Sequence, residues 1–295
     1  MPPRARAATL RAVRRRILGW YLADHRDLPF RRSRELWPVL VAEVMLQQTQ
    51  ASRISERFDA FLDRYPSPAA MAAATPAQVL TDWSGLGYNR RALNLHAAAV
   101  HIARDGWPET VEELERLPGI GPYSARAIAS IAFGQPVGAV DTNVRRWIVR
   151  RFAADAADRR ALQDLADRLA AAARSRDPEE AGTWTHATME FGARICTARA
   201  PRCDICPVSR GCPSRSDPRR VPVPRQSSST AATRAARGAV LRALATAPDH
   251  RLSWTKASQT ENGEANAVDY REITEGLERD GLLHRSETDL ILGPR

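Results

Sequence analysis

The stretch Leu117-Pro-Gly-Ile-Gly-Pro-Tyr-Ser-Ala125 decides how this chain folds. Gly119 and Gly121 permit a tight turn that lets main chain approach a partner closely, and Pro122 suits the first position of a helix. The leading amides of that helix point outward with a partial positive charge. They can hold a phosphate, which makes Gly119, Gly121 and Ser124 candidate phosphate contacts. Taken alone, the same residues also describe an ordinary turn between two helices. Either way, helices flank the turn.

Working outward, apolar residues recur at helical spacing over 109–117 and 122–133. The same spacing covers 10–23, 38–48, 50–65, 76–84, 89–104, 142–153, 159–174 and 180–195. Alternating patterns are almost absent before residue 215, so an all-α body is predicted. Residues 214–232 are rich in Ser, Pro and Arg and read as a linker. Beyond it, 235–247 and 269–280 predict two helices, and 281–293 two short strands around a polar turn. A small winged-helix-like unit over 233–295 is expected. No internal repeat is found.

The chain has 295 residues, about twice the ~150-residue prior for one domain. It is 43% hydrophobic and 26% charged, which excludes wholesale disorder. No apolar run approaches the ~18–20 residues of a spanning helix, and the first 27 residues lack an apolar core and a cleavage site. Neither export nor membrane insertion is expected. Lys+Arg outnumber Asp+Glu by 44 to 34, and residues 226–295, with nine basic and ten acidic side chains, contribute −1 of the +10. The basic body suits a polyanion such as nucleic acid, although an arginine-rich composition gives the same excess. Lys256 is the only lysine, so chemistry needing a lysine nucleophile uses it or does not occur.

All four cysteines, Cys196, Cys203, Cys206 and Cys212, fall in 17 residues spaced C-x6-C-x2-C-x5-C. In a reducing compartment such thiolates usually bind metal, and zinc is the generic alternative. Two carboxylates also stand out. Asp141 precedes an apolar helix and reads first as an N-cap. Glu43 interrupts the apolar run Val39-Leu-Val-Ala-Glu-Val-Met-Leu46, where a carboxylate is rare unless paired or at a solvated edge. In an apolar pocket it would keep its proton to higher pH.

The cysteine spacing resembles the 4Fe–4S loop of the endonuclease III superfamily, and Leu117–Gly121 resembles its helix-hairpin-helix motif. Ala42-Glu-Val-Met-Leu-Gln-Gln-Thr-Gln50, Gly85-Leu-Gly-Tyr88 with Arg90, Arg91 and Leu95-His96, and Leu28-Pro-Phe-Arg31 are similar to segments of MutY-type adenine DNA glycosylases. The likeness covers about residues 15–213. It implies a short form without the larger Nudix-like C-terminal domain of many members. It also implies an iron–sulfur domain of residues 1–25 and 138–213 around a six-helix domain of 26–137, and a 4Fe–4S cofactor on the four cysteines.

By the same resemblance, Glu43 is the general acid that protonates adenine N7, and Asp141 faces the sugar cation, with Asn143 orienting water or that carboxylate. Arg31, Tyr88 and Glu190 surround the base. Gln47, Gln48 and Thr49 meet the DNA stack, and Arg145, with Arg146 beside it, faces phosphate. Tyr123 stands where lyase-competent relatives carry lysine. A monofunctional enzyme is therefore expected, hydrolysing adenine from pairs with 8-oxoguanine or guanine in duplex DNA. It is expected to be a monomer acting in the cytoplasm at the nucleoid. A mismatch thymine/uracil glycosylase and a non-catalytic iron–sulfur DNA-binding regulator are the alternatives.

Overall fold

The computed structural model describes residues 6–172, 178–216, 230–254 and 270–295. These are mainly helical, and no described helix is long and apolar enough to cross a membrane. Lys256 and most of the expected linker, 217–229, lie outside the described residues.

The chain divides into two compact units. One comprises Met1–Glu43, Pro108–Arg116 and Ile120–Pro224; the other comprises Val44–Trp107, Leu117–Gly119 and Arg225–Arg295. The division does not follow the boundaries expected at 25/26 and 137/138, because residues 26–43 and 120–137 group with the cysteine-bearing half. The C-terminal segment is likewise not set apart: it belongs to the same unit as 44–107.

In the first unit, α1 (Ala7–Ala23) and α10 (Thr142–Phe152) both pack on α12 (Pro178–Arg194), and α11 (Arg159–Ala170) closes the layer. Leu10, Val13 and Ile17 of α1 meet Trp147, Ile148, Trp184 and Phe191 in one apolar core. The Trp147 ring lies edge-on to Trp184 and to Phe191, with centroids 6.5 and 5.7 Å apart, a favoured aromatic geometry. Gly192 is required here, since a Cβ on it would sit 2.7 Å from Asn143. Its absence lets α12 run close beside the start of α10. The hairpin helices α8 (Val111–Leu114) and α9 (Pro122–Ala132) complete the unit, and α9 packs on α12. The stretch expected as a helix over 109–117 reduces to the single turn of α8.

In the second unit, α7 (Arg90–Asp105) buries Ala92, Leu95, Ala98, Ala99 and Ile102 against α5 (Pro68–Ala72) and α6 (Pro76–Asp82). The helix expected over 50–65 is two, α3 (Ala51–Ser55) and α4 (Phe58–Arg64). The break lets Phe58 and Phe61 both turn inward. α5 was not anticipated. At the C-terminal end, α13 (Ala231–Thr246) and α14 (Tyr270–Arg279) pack together. The two expected strands form as β2 (Leu283–Arg285) and β3 (Asp289–Leu292), and an unexpected β1 (Arg251–Ser253) joins the other edge of β3, giving the antiparallel order β1-β3-β2. Leu283, Leu290 and Leu292 are buried.

Candidate active site and iron–sulfur loop

The apolar run around Glu43 is the helix α2 (Leu36–Leu46). Val39, Leu40, Val41, Ala42, Val44 and Met45 are all buried, and Glu43 itself is 5% exposed. The edge-position alternative for this carboxylate is thereby excluded. Burial first, and then the charge of Asp141, push its pKa up to about 7, against a hydrogen bond from Tyr123 and the pull of Arg31. Tyr123, in the first turn of α9, points its hydroxyl at Met189 Sδ as well, 3.5 Å away. Burial next to the two carboxylates holds this phenol firmly protonated.

Asp141 caps α10 and accepts from the Val144 amide at 2.6 Å and from Asn143 Nδ2 at 2.8 Å. Its pKa is raised by burial, opposed by those hydrogen bonds and by Arg146. Two carboxyl groups therefore sit under one field in different surroundings. One has an apolar helix around it, and the other has hydrogen-bond donors that favour its charged form and oppose the effect of burial.

Arg31 ends the 3-10 turn Pro29–Arg31. Its Nη2 lies 2.9 Å from Glu190, and its Nη1 is buried without a hydrogen-bond partner. Glu190, on α12, is fully buried and is gripped by Arg26 through two hydrogen bonds of 2.7 Å, with Arg194 at 3.6 Å. Burial opposes ionisation there, but the Arg26 and Arg31 guanidiniums overcome it and hold the pKa at about 2. The carboxylate oxygens thus already accept from arginines.

The cysteine loop follows α12. All four thiols line one cavity walled by Trp147, Phe191 and Val208. Three arginines of α10 hold it. Arg146 donates to the Cys196 and Gly192 carbonyls at 2.7 and 2.6 Å, Arg150 to Thr197 and Ala198, and Arg151 to Gly211. Arg150 also reaches Cys196 Sγ at 3.6 Å. Four thiols around one pocket, with guanidiniums to offset their anionic charge, fit an iron–sulfur cluster. Among the described residues no three His, Cys, Asp or Glu side chains gather as a single-ion site. When bound, the cluster cross-links this loop through its thiolates.

In the second unit, Arg91 is buried and fans its donors over two turns. Nη1 reaches the carbonyls of Val44, Met45 and Gln47, and Nη2 those of Leu86 and Gly87 plus Thr49 Oγ1. The turns it holds carry Gln48 and Tyr88 in the left-handed region, φ 57° and 48°, a strained state for side-chain-bearing residues that survives where surroundings over-determine it. Gln47 donates to the Gly119 carbonyl at 3.1 Å. Gly119 has φ +77°, and a Cβ there would lie 2.7 Å from Asn94, so glycine is obligatory.

These local arrangements agree with comparisons to known proteins. Residues 41–171 match the HhH-GPD superfamily of base excision DNA repair proteins, and residues 196–212 match the iron–sulfur binding domain of endonuclease III. The chain belongs to the HhH-GPD superfamily. Its cysteine loop carries the 4Fe–4S cluster. Over 198 residues the chain is 48% identical to the adenine DNA glycosylase of Mycolicibacterium smegmatis (strain ATCC 700084 / mc(2)155), covering 65% of this chain and 66% of that protein. Over 222 residues it is 38% identical to the adenine DNA glycosylase of Homo sapiens, covering 70% and 40%. The chain thus spans just under two thirds, or less, of the curated relatives it matches. A solved thermostable thymine-DNA glycosylase superposes with a TM-score of 0.63 at 27% identity, covering 70% of this chain and 96% of that one.

Within this HhH-GPD chain, the first unit gathers Glu43, Tyr123, Asp141, Asn143, Arg31 and Glu190. The second carries Gln47, Gln48, Thr49, Tyr88 and Gly119. Several expected contacts are placed differently. Ser124 is 3% exposed, so its side chain is not presented at the surface. Gly121 adopts φ −97° with open space where a Cβ would stand, so conformation does not demand glycine there. Arg145 donates to the Ala156 carbonyl at 2.6 Å, and Arg146 turns inward to the cysteine loop. Nothing in the sequence marks Arg26, Arg150 or Arg194 as site residues, and Arg91 carries no role beyond its place in the Gly85–His96 segment. Arg26 and Arg150 find their partners far away in sequence, as Arg194 does at Asp24 and Arg91 at residues 44–49, and an isolated arginine carries no signal of burial.

Proposed function

We propose that this chain is a monofunctional adenine DNA glycosylase that hydrolyses the N-glycosidic bond of adenine mispaired with 8-oxoguanine or guanine in duplex DNA. The observation that carries the proposal is Glu43: a buried carboxyl group whose pKa stands at about 7, beside Tyr123 and in the field of Asp141. The names of the adenine DNA glycosylases it resembles point the same way.

The target nucleotide leaves the stack at a cost of a few kcal/mol, less at a mispair than at a matched pair. Arg31 Nη1, a buried donor with no protein partner, is available to a ring nitrogen of the base. Glu43 passes its proton to the base, and the C1′–N9 electron pair leaves with it. Asp141, an anion held by two donors, faces the positive charge developing at the sugar. Water adds to C1′, and its proton returns to the Glu43 carboxylate. Tyr123 offers no amine, so the strand stays intact. The exposed Arg199, Arg202 and Arg210 of the cysteine loop face the phosphate backbone. The enzyme acts as a monomer at the nucleoid.

The test is base release from duplexes carrying A opposite 8-oxoguanine, A opposite G, T opposite G and U opposite G. Release from the first two alone is expected. Release from T·G and not from the adenine pairs would instead make it a thymine glycosylase, like the solved neighbour of that name.

A further inference from the structure

The second unit contains an open cleft of about 960 Å³ built from two distant parts of the chain. One wall carries Gln48, Tyr88, Arg53 and Arg90; the other is the first turns of α13, with Arg234 and Arg237. Residues 226–295 carry a net charge of −1, yet the surface they turn to this cleft is basic. Five arginines line it against one carboxylate, Asp280, and that carboxylate is ion-paired to Arg237. The C-terminal wall is fixed in place within its unit. α13 packs on α6 and on β3, and Gly293 lies against Pro76 and Ala77. The opposite wall is fixed as well, because Arg91 holds the turns bearing Gln48 and Tyr88.

The two walls offer different chemistry. Tyr88 is 51% exposed, and an exposed aromatic beside an amide side chain suits a base face and edge. Arg234, exposed at the start of α13, offers the planar fork that matches a phosphodiester. A ligand presenting bases on one side and a regular line of anionic charge on the other fits both. Resting on the activity proposed above, we infer that Arg234, backed by Arg237, contacts the phosphodiester backbone of the duplex whose bases meet Gln48 and Tyr88. The C-terminal segment is then a DNA-binding wall of the second unit.

The experiment uses the full-length, cluster-loaded protein with Arg234→Gln and Arg234→Glu, and with Arg271→Gln as a control. Arg271 is on α14 and does not line the cleft. Affinity is measured on an A·G duplex, an A·8-oxoguanine duplex and a fully matched duplex over a range of salt. Loss of one phosphate contact weakens binding about 5-fold near physiological salt and reduces the slope of log K against log salt by about 1. That loss is expected for Arg234→Gln on all three duplexes, more for Arg234→Glu, and none for the control. Adenine release at saturating duplex stays at the wild-type rate. Equal melting temperatures establish that the variants fold. If Arg234→Glu alone melts early, Arg234→Gln decides.

Unchanged affinity and salt slope in a folded Arg234 variant overturn the inference, as does a loss confined to the 8-oxoguanine duplex, which would make the contact a lesion reader. Wild-type protein that binds duplex but releases no adenine sinks the proposed activity instead, and the binding series still judges the wall.

Discussion

Arg31 lies 2.9 Å from Glu190, and the two are the hinge between a structural ion cluster and the candidate acid. Glu190 anchors the guanidinium, and the guanidinium in turn lowers the pKa of Glu43. Glu190 is wholly buried with Arg26, Arg31 and Arg194 around it; Arg26 is 43% exposed and Arg194 keeps Asp24, so removing the charge of Glu190 strands chiefly the guanidinium of Arg31. Glu190→Gln is expected to cost about 3–5 kcal/mol, the usual penalty for breaking a buried pair from one side. Denaturant unfolding near neutral pH measures it, and a loss below 1 kcal/mol would show that the arginines simply move into solvent.

The same carboxylate gives an acid-side signature. Its folded pKa of about 2 is below the ordinary 4.5, so its stabilisation is complete above pH 4.5 and is lost as pH falls toward 2. About 3 kcal/mol disappears across that window, at about 1.4 kcal/mol per unit. Acid titration of stability should be flatter in Glu190→Gln than in wild type. Parallel curves would remove Glu190 from the account.

Glu43 carries the opposite sign. Its folded pKa of about 7 exceeds 4.5, so the native state binds this proton more tightly and stability falls as pH rises from 4.5 to 7, by about 3 kcal/mol in all. Glu43→Gln should therefore melt above wild type at pH 8 and close to it at pH 4.5. Base release should fall about tenfold per unit above pH 7 in wild type, and Glu43→Gln should lose at least ~100-fold at any pH while binding duplex normally. A variant that loses activity and binding together would give Glu43 a structural role.

Arg91 bonds six main-chain carbonyls and one hydroxyl across two turns. A lysine amine has three donors at a single point and cannot span them. Arg91→Lys leaves at least two buried carbonyls without a donor, at about 1–3 kcal/mol each. Faster proteolysis near residues 47–49 and 86–89, and a lower melting temperature, are expected. Native proteolysis rates would show that the turns hold themselves.

Hairpin, cysteine loop and buried acid were legible because each is local. Gly119 declares a left-handed turn by its neighbours, the cysteine spacing declares a pocket, and Glu43 stands inside its own apolar helix. The rest depends on partners far along the chain. Arg26 finds Glu190 across 164 positions, and nothing beside Arg26 distinguishes it from a solvated arginine in a chain holding 43 of them besides Lys256. β1 is three residues long and exists because β3, some forty residues later, offers it an edge; three residues hold no alternation to detect. Arg234 lay in a segment of near-zero net charge, and only folding turned it toward Tyr88.

Tyr123 offers the sharpest chemical test of the first unit. It is half-buried on α9 and hydrogen-bonds Glu43, whose charge and that of Asp141 surround it. A lysine installed there meets the same two carboxyl groups, and ionised, it would pair with Glu43 and pull the acid's pKa back down. Tyr123→Lys should therefore release adenine more slowly at neutral pH. In the fraction where the amine is neutral, it can attack C1′ as the base leaves, open the sugar and form an imine, which borohydride reduces to a stable protein–DNA link. A slow release that leaves a trappable adduct and some strand nicking is the expected outcome. Full-rate release with no adduct would mean that this side chain does not face the sugar, and the placement of Asp141 opposite C1′ would fall with it.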